Sequence, residues 1–190
     1  MERRWHVGAG ERLYDGGCAG KRPKKATPTA GVLDSQSVKN AATSTARVGY
    51  DAGKRITGRK RFFVVDTQGN LLAAWVTSAA CHDGTTATLW WDGVVPHNEL
   101  PADLRLLWVD QTFRARMQAA LPEHQLTVCT PDEVASNKGA FCIHVRRWVV
   151  ERTIARTSAH RRLARDDERT TRNAAACIYI ANIRRILKLT

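Results

Sequence analysis

Residues 104–110 read LRLLWVD, a nearly continuous apolar run that ends in an acid, Asp110. A short run of this kind is typical of a central strand that is buried on both faces of a sheet. The residues that follow, Gln111 to Leu121, favour a helix, and Leu126 to Cys129 favour another strand. This order of elements indicates part of a mixed α/β sheet.

The chain before this run predicts three more strands. Ala30 to Leu33 is a short apolar run that ends in a second acid, Asp34, and it predicts a strand that delivers this acid at its end. Phe62 to Asp66 and Leu71 to Thr77 are rich in β-branched and aromatic residues and flank four turn residues, which predicts a tight hairpin. A helix is expected from Gly84 to Trp91.

Two basic segments are expected to be exposed. Residues 1–27 carry glycines, a proline and a basic cluster without an apolar period, which predicts a flexible basic arm ahead of a single domain, 28–190. Lys39 to Arg61 contains three glycines, seven basic side chains and few large apolar residues, which predicts a mobile basic loop. Both segments are therefore candidates for contact with an anionic partner.

The C-terminal part is helical by pattern. Apolar residues surround Glu151 at helical spacing, and a second stripe follows further along the chain. We predict two long basic helices, the second with an apolar stripe formed by Ala176, Tyr179, Ile180, Ile183 and Leu187.

The charge balance points to a polyanionic partner. Thirty Lys and Arg against eighteen Asp and Glu give a formal net charge of +12. Twelve of the basic residues lie from Cys142 onward, where only four acids accompany them. Such an uneven excess favours binding to nucleic acid over a general effect on solubility.

Several other classes of protein do not fit the sequence. The five cysteines are widely separated and form no C-x-x-C pair, so neither a zinc site nor a redox motif is indicated. We expect reduced thiols in a cytoplasmic protein. No apolar run approaches the roughly 18 residues that span a bilayer, and the polar start does not resemble a signal peptide, so no membrane partner is expected.

Three acids, Asp34, Asp110 and Glu151, are placed to converge at element ends and on a facing helix. Several carboxylates suit a site with two divalent ions, because hard ions take oxygen ligands and repel each other unless anionic groups surround them. Each acid also has a local alternative. Asp34 is able to close a turn over Ser35, and Asp110 is able to cap the helix that follows it. Glu151 is able to form an ion pair with Arg147, which lies one helical turn earlier.

Several basic side chains are candidate contacts for nucleic acid, because Lys and Arg bind the phosphate backbone in most DNA complexes. Arg147 shares a helix face with Glu151 and is able either to hold a phosphate or to form a plain salt bridge. The full set of candidates is Lys39, Lys54, Arg59, Lys60, Arg61, Arg147 and Arg152.

The acids lie in three motifs that follow one another along the chain: VLDSQSVK at 32–39, LWVD at 107–110 and RRWVVERT at 146–153. Further matching segments are found at 49–61, 65–69, 161–166 and 179–181. Together these motifs resemble the catalytic domain of DDE-type bacterial insertion-sequence transposases, in the group typified by insertion sequence five. The resemblance runs from about residue 28 to the C-terminus.

The resemblance implies a ribonuclease H-like fold, a mixed β-sheet flanked by helices, and a DNA transposase that cleaves strands at insertion-sequence ends and joins them to target DNA. It implies Asp34, Asp110 and Glu151 as catalytic residues and as ligands of Mg²⁺ or Mn²⁺, with two ions in the site. Its further implications are a homodimer on DNA and association with the bacterial nucleoid. Relatives carry a longer N-terminal region, so we expect a truncated chain, either the second frame of a frameshift fusion with an upstream-frame protein or a decayed remnant.

The chain departs from the family pattern after two of the acids. Gln111, Thr112 and Phe113 replace the usual Gly-Gly-Tyr after Asp110, and Arg156 replaces an aromatic residue after Glu151. Two alternatives therefore remain beside an active transposase. One is a catalytically inactive or domesticated remnant that binds DNA non-specifically, and the other is a structure-specific nuclease or ribonuclease H-type enzyme.

Overall fold

A computed structural model of the chain describes residues 27–94, 100–120, 127–129 and 145–187. The predicted arm, apart from residue 27, lies outside these residues, as does the segment 131–139 before the third motif. No helix in the described ranges is long and apolar enough to cross a membrane.

The centre of the fold is a six-stranded mixed sheet. Its long middle strands, β1 and β3, pair antiparallel, and β3 pairs along its other edge with β2 and β4. On the far side of β1, strands β5 and β6 continue the sheet in parallel. The strands are β1 (Ala30–Lys39), β2 (Gly49–Asp51), β3 (Ile56–Asp66), β4 (Leu71–Ser78), β5 (Leu106–Trp108) and β6 (Thr127–Cys129).

Helices cover both faces of this sheet. They are α1 (Asp83–Val94), α2 (Gln111–Ala120), α3 (Val145–Ser158), α4 (Arg161–Ala164) and α5 (Thr171–Leu187). On one face α1 and α2 pack on Leu33, Phe62 and Val64, and on the other α3, α4 and α5 pack on Val32 and Phe63. Alternate residues of a strand point to opposite faces, so a strand with apolar residues at every position is buried on both sides. The mixed α/β sheet flanked by helices fits the fold that the sequence predicts.

The predicted hairpin is confirmed as β3 and β4, and its turn is held by Asp66. The Asp66 carboxylate accepts hydrogen bonds from the backbone N–H groups of Gln68 and Asn70, each at 2.8 Å. Gly69 has a φ of +85°, a left-handed conformation that favours glycine. A side chain there would also meet Thr153 of α3, whose Oγ1 lies 2.9 Å from the Cβ position. This turn therefore joins two strands and also packs against helix α3.

The prediction of an exposed basic loop from Lys39 to Arg61 fits 41–48 and 52–55, which lie outside the strands and are mostly exposed, and is wrong at both ends of the segment. Strand β1 runs on to Lys39, so Asp34 lies within the strand and not at its end. Strand β3 begins at Ile56, and Arg59, Lys60 and Arg61 are 0%, 6% and 1% exposed. The polar stretch of β1 that follows Asp34 extends a strand because β3 pairs with it residue by residue as far as Lys39.

Arg59 and Arg61 are buried because the C-terminal segment covers them. Both lie on the same face of β3 as Phe63, where α3, α4 and α5 pack. Arg59 donates hydrogen bonds to the carbonyls of Ala46, Glu168 and Arg169 and pairs with Asp166 at 3.1 Å. Arg61 donates hydrogen bonds to the carbonyls of Leu163 and Arg165.

Lys60 points to the opposite face of β3. Its Nζ lies 2.6 Å from Asp83 at the start of α1 and 3.5 Å from Asp51. Arg59, Lys60 and Arg61 therefore stabilise the fold through these contacts, and all three are buried and not available at the surface for contact with DNA.

Candidate active site

The register of β1 and β5 places two acids side by side. Val32 pairs with Trp108 in the parallel ladder. Asp34 and Asp110 each follow that pair by two residues, so both continue in the same direction and point to the face that holds α3. The apolar runs 30–33 and 104–109 therefore bring these carboxylates together, although Asp34 lies within β1 and Asp110 lies two residues beyond the end of β5.

Helix α3 supplies the third acid. Val149, Val150 and Ile154 are buried against the sheet. Arg147 and Glu151, on another side of the helix, therefore point toward the two aspartates. The position of the helix is fixed further by a hydrogen bond of 2.9 Å from Thr153 Oγ1 to the carbonyl of Gly69.

All three acids face the guanidinium of Arg147. Its Nε lies 3.2 Å from Glu151 Oε1 and 4.0 Å from Asp34 Oδ2, and its Nη2 lies 3.6 Å from Asp110 Oδ2. The side chains of Asp34, Asp110 and Glu151 are 13%, 35% and 54% exposed, so the cluster opens from the sheet toward solvent. The three acids therefore converge as predicted, and the positively charged side chain of Arg147 lies between them.

The surroundings of Asp34 disfavour its charged form. Burial raises the pKa of this carboxyl to about 6, and the charges of Asp110 and Glu151 act in the same direction. The backbone N–H of Ser35 and the charge of Arg147 act against this rise. A buried acid whose pKa its neighbours raise is a common feature of functional sites.

Each of the three acids converges with the others and also makes the local contact that its neighbouring residues predict. Asp34 Oδ1 accepts the N–H of Ser35 at 2.8 Å, and Asp110 Oδ1 accepts the N–H of Gln111 at 2.7 Å, directly before α2 begins. Glu151 pairs with Arg147 one turn earlier. In each aspartate these bonds use one carboxylate oxygen and leave the other facing Arg147.

The donor set suits a divalent cation in its chemistry, although the three carboxylates are not arranged around a common ion position. Three carboxylates offer the oxygen ligands that Mg²⁺ and Mn²⁺ prefer. Within the residues that the structure describes, no group of three or more His, Cys, Asp or Glu is already arranged to hold an ion. The carboxylates are grouped around Arg147 instead, and their side chains already converge on one positive charge.

The remaining candidate DNA contacts differ in their surroundings. Lys39 and Lys54 are exposed. Arg152 stacks over the ring of Trp148 at 4.4 Å and donates a hydrogen bond to the carbonyl of Gln68. Trp148 is itself 47% exposed beside Arg147. These side chains are accessible at the surface, in contrast to the buried basic residues of β3, and Arg152 and Trp148 lie on the helix that carries Arg147 and Glu151.

The comparison with protein families gives a match to the transposase DDE domain over residues 25–139. This match covers more than half of the 190 residues and includes Asp34 and Asp110. The chain belongs to this family. Transposase DDE domains act on DNA and typically use divalent metal ions. The comparison with curated proteins gives no match.

One feature of this transposase DDE domain is not visible in its sequence. The spacing of Arg147 and Glu151 predicts their salt bridge, but nothing local predicts that Arg147 also reaches Asp34 and Asp110. A second contact of this kind joins Ser158 at the end of α3 to Gln36 of β1, where the serine Oγ lies 3.0 Å from the amide oxygen. Both depend on how α3 lies across the sheet, which the period of its apolar residues alone does not define.

The raised pKa of Asp34 predicts that the metal-free chain becomes more stable when this acid is neutralised. Below pH 3.8 the carboxyl is protonated in both the folded and the unfolded chain, and above about pH 6 it is ionised in both. The penalty for the buried charge therefore grows as the pH rises through this window. Asp34→Asn removes it and still accepts the N–H of Ser35. We expect a gain of up to about 3 kcal/mol in the free energy of unfolding at pH 8.

Urea denaturation in the presence of a chelator at pH 4 and pH 8 measures this gain. It should be present at pH 8 and nearly absent at pH 4. The matched control is Asp103→Asn, since Asp103 is exposed and lies ahead of β5, outside the carboxylate cluster. An Asp34→Asn chain that is no more stable than the wild type at pH 8 contradicts the account of Asp34.

Proposed function

We propose that residues 28–190 form a catalytic domain for metal-dependent cleavage and transfer of DNA strands at insertion-sequence ends, in the insertion-sequence-five group. The observation that supports this most directly is the meeting of three acids from β1, from the end of β5 and from α3 around one cation. The range that matches the transposase DDE family, residues 25–139, includes two of these acids, which supports the proposal.

Asp34, Asp110 and Glu151 would hold Mg²⁺ or Mn²⁺, with two ions in the site. When bound, such ions supply a nucleophilic oxygen and stabilise the leaving oxygen of an in-line displacement at phosphorus. The chain itself would hold these ions on the face of the sheet that packs against α3. Asp34 is anchored by Ser35 and Asp110 by Gln111, so each keeps one oxygen turned toward the site.

Basic side chains around the site would position the DNA. Arg147 and Arg152 lie on α3 on either side of Trp148, and Lys39 and Lys54 are exposed elsewhere on the domain. The net charge of +12 favours binding to the phosphate backbone without regard to sequence. A homodimer on DNA, an upstream-frame protein and association with the nucleoid stay predictions.

Incubation of the chain with supercoiled plasmid DNA tests the proposal. We expect nicked and linear products in Mg²⁺ or Mn²⁺ and none when a chelator is present. An RNA–DNA hybrid serves as the competing substrate, because preferential cleavage of the hybrid would identify a ribonuclease H-type enzyme. A folded chain that binds the plasmid and leaves it intact in both metals would favour the inactive remnant.

A further inference from the structure

We propose that Arg147 is an internal counter-cation of the carboxylate cluster and that divalent ions bind only when Arg147 leaves the cluster. This inference rests on the proposed function, since it takes Asp34, Asp110 and Glu151 as metal ligands. It adds that the Arg147 side chain and the divalent ions compete for the same carboxylate oxygens. Metal-free and metal-loaded chains then differ in where the positive charge of Arg147 lies.

The charges in the cluster require a cation. Three carboxylates in a partly buried group repel one another, and each loses part of its hydration. The guanidinium of Arg147 lies within 4.0 Å of an oxygen of every one of them. In the metal-free chain the charge of Arg147 therefore reduces the repulsion among the three carboxylates, as bound ions would do in its place.

Arg147 is held in the cluster by charge and not by fitted hydrogen bonds. A strong arginine–carboxylate pair has two parallel N–H···O bonds of about 2.7–2.9 Å. The distances from Arg147 are 3.2, 3.6 and 4.0 Å, and its buried Nε has no hydrogen-bond partner among the described residues. An ion of higher charge that binds the same oxygens directly is able to replace such a group.

The side chain also has a way out of the cluster. Arg147 lies in the first turn of α3, and its side chain is 39% exposed. The contrast is Arg59, whose side chain is fully buried and donates to several carbonyls of the C-terminal segment. Arg59 cannot move without opening the fold, whereas Arg147 needs only to rotate toward solvent.

Titration with Mn²⁺, followed by calorimetry, tests the competition in Arg147→Gln and in the wild type. We expect Arg147→Gln to bind Mn²⁺ at least about fivefold more tightly, the lower end of the usual coupling between two ligands. The matched control is Arg156→Gln, which removes the same charge from an exposed position on the same helix. Arg156→Gln should stay within about twofold of the wild type, because exposed charges are screened by salt.

A second measurement follows Arg147 directly. The ¹⁵Nε signal of Arg147, assigned by its loss in Arg147→Gln, should move when Mg²⁺ is added to the wild type. Circular dichroism and thermal melting of each variant establish that it is folded.

Each result has a distinct meaning. Tighter binding in Arg147→Gln alone, together with a shift of the Arg147 signal, supports the competition. Equal tightening in Arg156→Gln overturns it in favour of a general charge effect. A wild type that binds Mn²⁺ and loses it in Asp110→Asn, while Arg147→Gln binds no more tightly, overturns this inference and leaves the proposed function intact. No binding by either the wild type or Arg147→Gln overturns both.

Discussion

Asp110→Asn is expected to lower the rate of Mg²⁺-dependent DNA cleavage at least about a hundredfold. Loss of a group that merely supports a metal ligand costs about 10–100-fold in affinity or activity, so loss of a ligand itself should cost no less. Asparagine keeps the shape of the side chain and an oxygen for the N–H of Gln111, so helix α2 should still begin at the same residue. The change therefore removes a charge from the site with little effect on the fold.

The rate is measured as single-turnover nicking of supercoiled plasmid with enzyme in excess. Asp103→Asn is the matched control, because it makes the same chemical change at an exposed position before β5. It should nick the plasmid at the wild-type rate. Nicking by Asp110→Asn at more than about a tenth of the wild-type rate would remove this residue from the proposed ligand set.

Arg59→Leu is expected to destabilise the chain by about 3–5 kcal/mol, the usual result when one partner of a buried ion pair is removed. Asp166 would then be left with its charge buried, since both side chains of the pair are fully inaccessible. The carbonyls of Ala46, Glu168 and Arg169 would also lose their donor. Urea denaturation measures the loss.

The double variant Arg59→Leu/Asp166→Leu separates these two causes. It removes the uncompensated charge, so it should be more stable than Arg59→Leu alone. Arg172→Leu, at an exposed position in the first turn of α5, should change the free energy of unfolding by less than about 0.5 kcal/mol. A loss in Arg59→Leu no larger than in this control would mean that the C-terminal segment does not depend on Arg59.

Much of the sheet could be predicted from the sequence because its signals are local. The turn from Thr67 to Asn70 between two β-branched runs predicts the hairpin, and the apolar run before Asp110 predicts β5. The helix that carries Glu151 has an apolar stripe of helical period. These patterns depend on residues close together in the chain, so they remain valid without knowledge of the tertiary fold.

Features that depend on distant partners could not be predicted. Arg59 and Arg61 have the composition of an exposed loop, and their burial depends on carbonyls about a hundred residues further along the chain. The polar half of β1 forms a strand because β3 pairs with it, and its own residues alternate too weakly to indicate this. Arg147 is a comparable case, since only one of its three acidic partners lies on its own helix.

Calorimetric titration with Mn²⁺ of the wild type and of three single variants would show whether Asp34, Asp110 and Glu151 form a divalent-metal site. We expect saturable binding by the wild type that Asp34→Ala, Asp110→Ala and Glu151→Ala each weaken at least about tenfold. The titration is repeated with DNA present, because phosphate oxygens complete the ligand set of many divalent ions. A folded wild type that binds no Mn²⁺ with or without DNA, or variants that bind it as tightly as the wild type, would contradict the account and leave a basic DNA-binding remnant in its place.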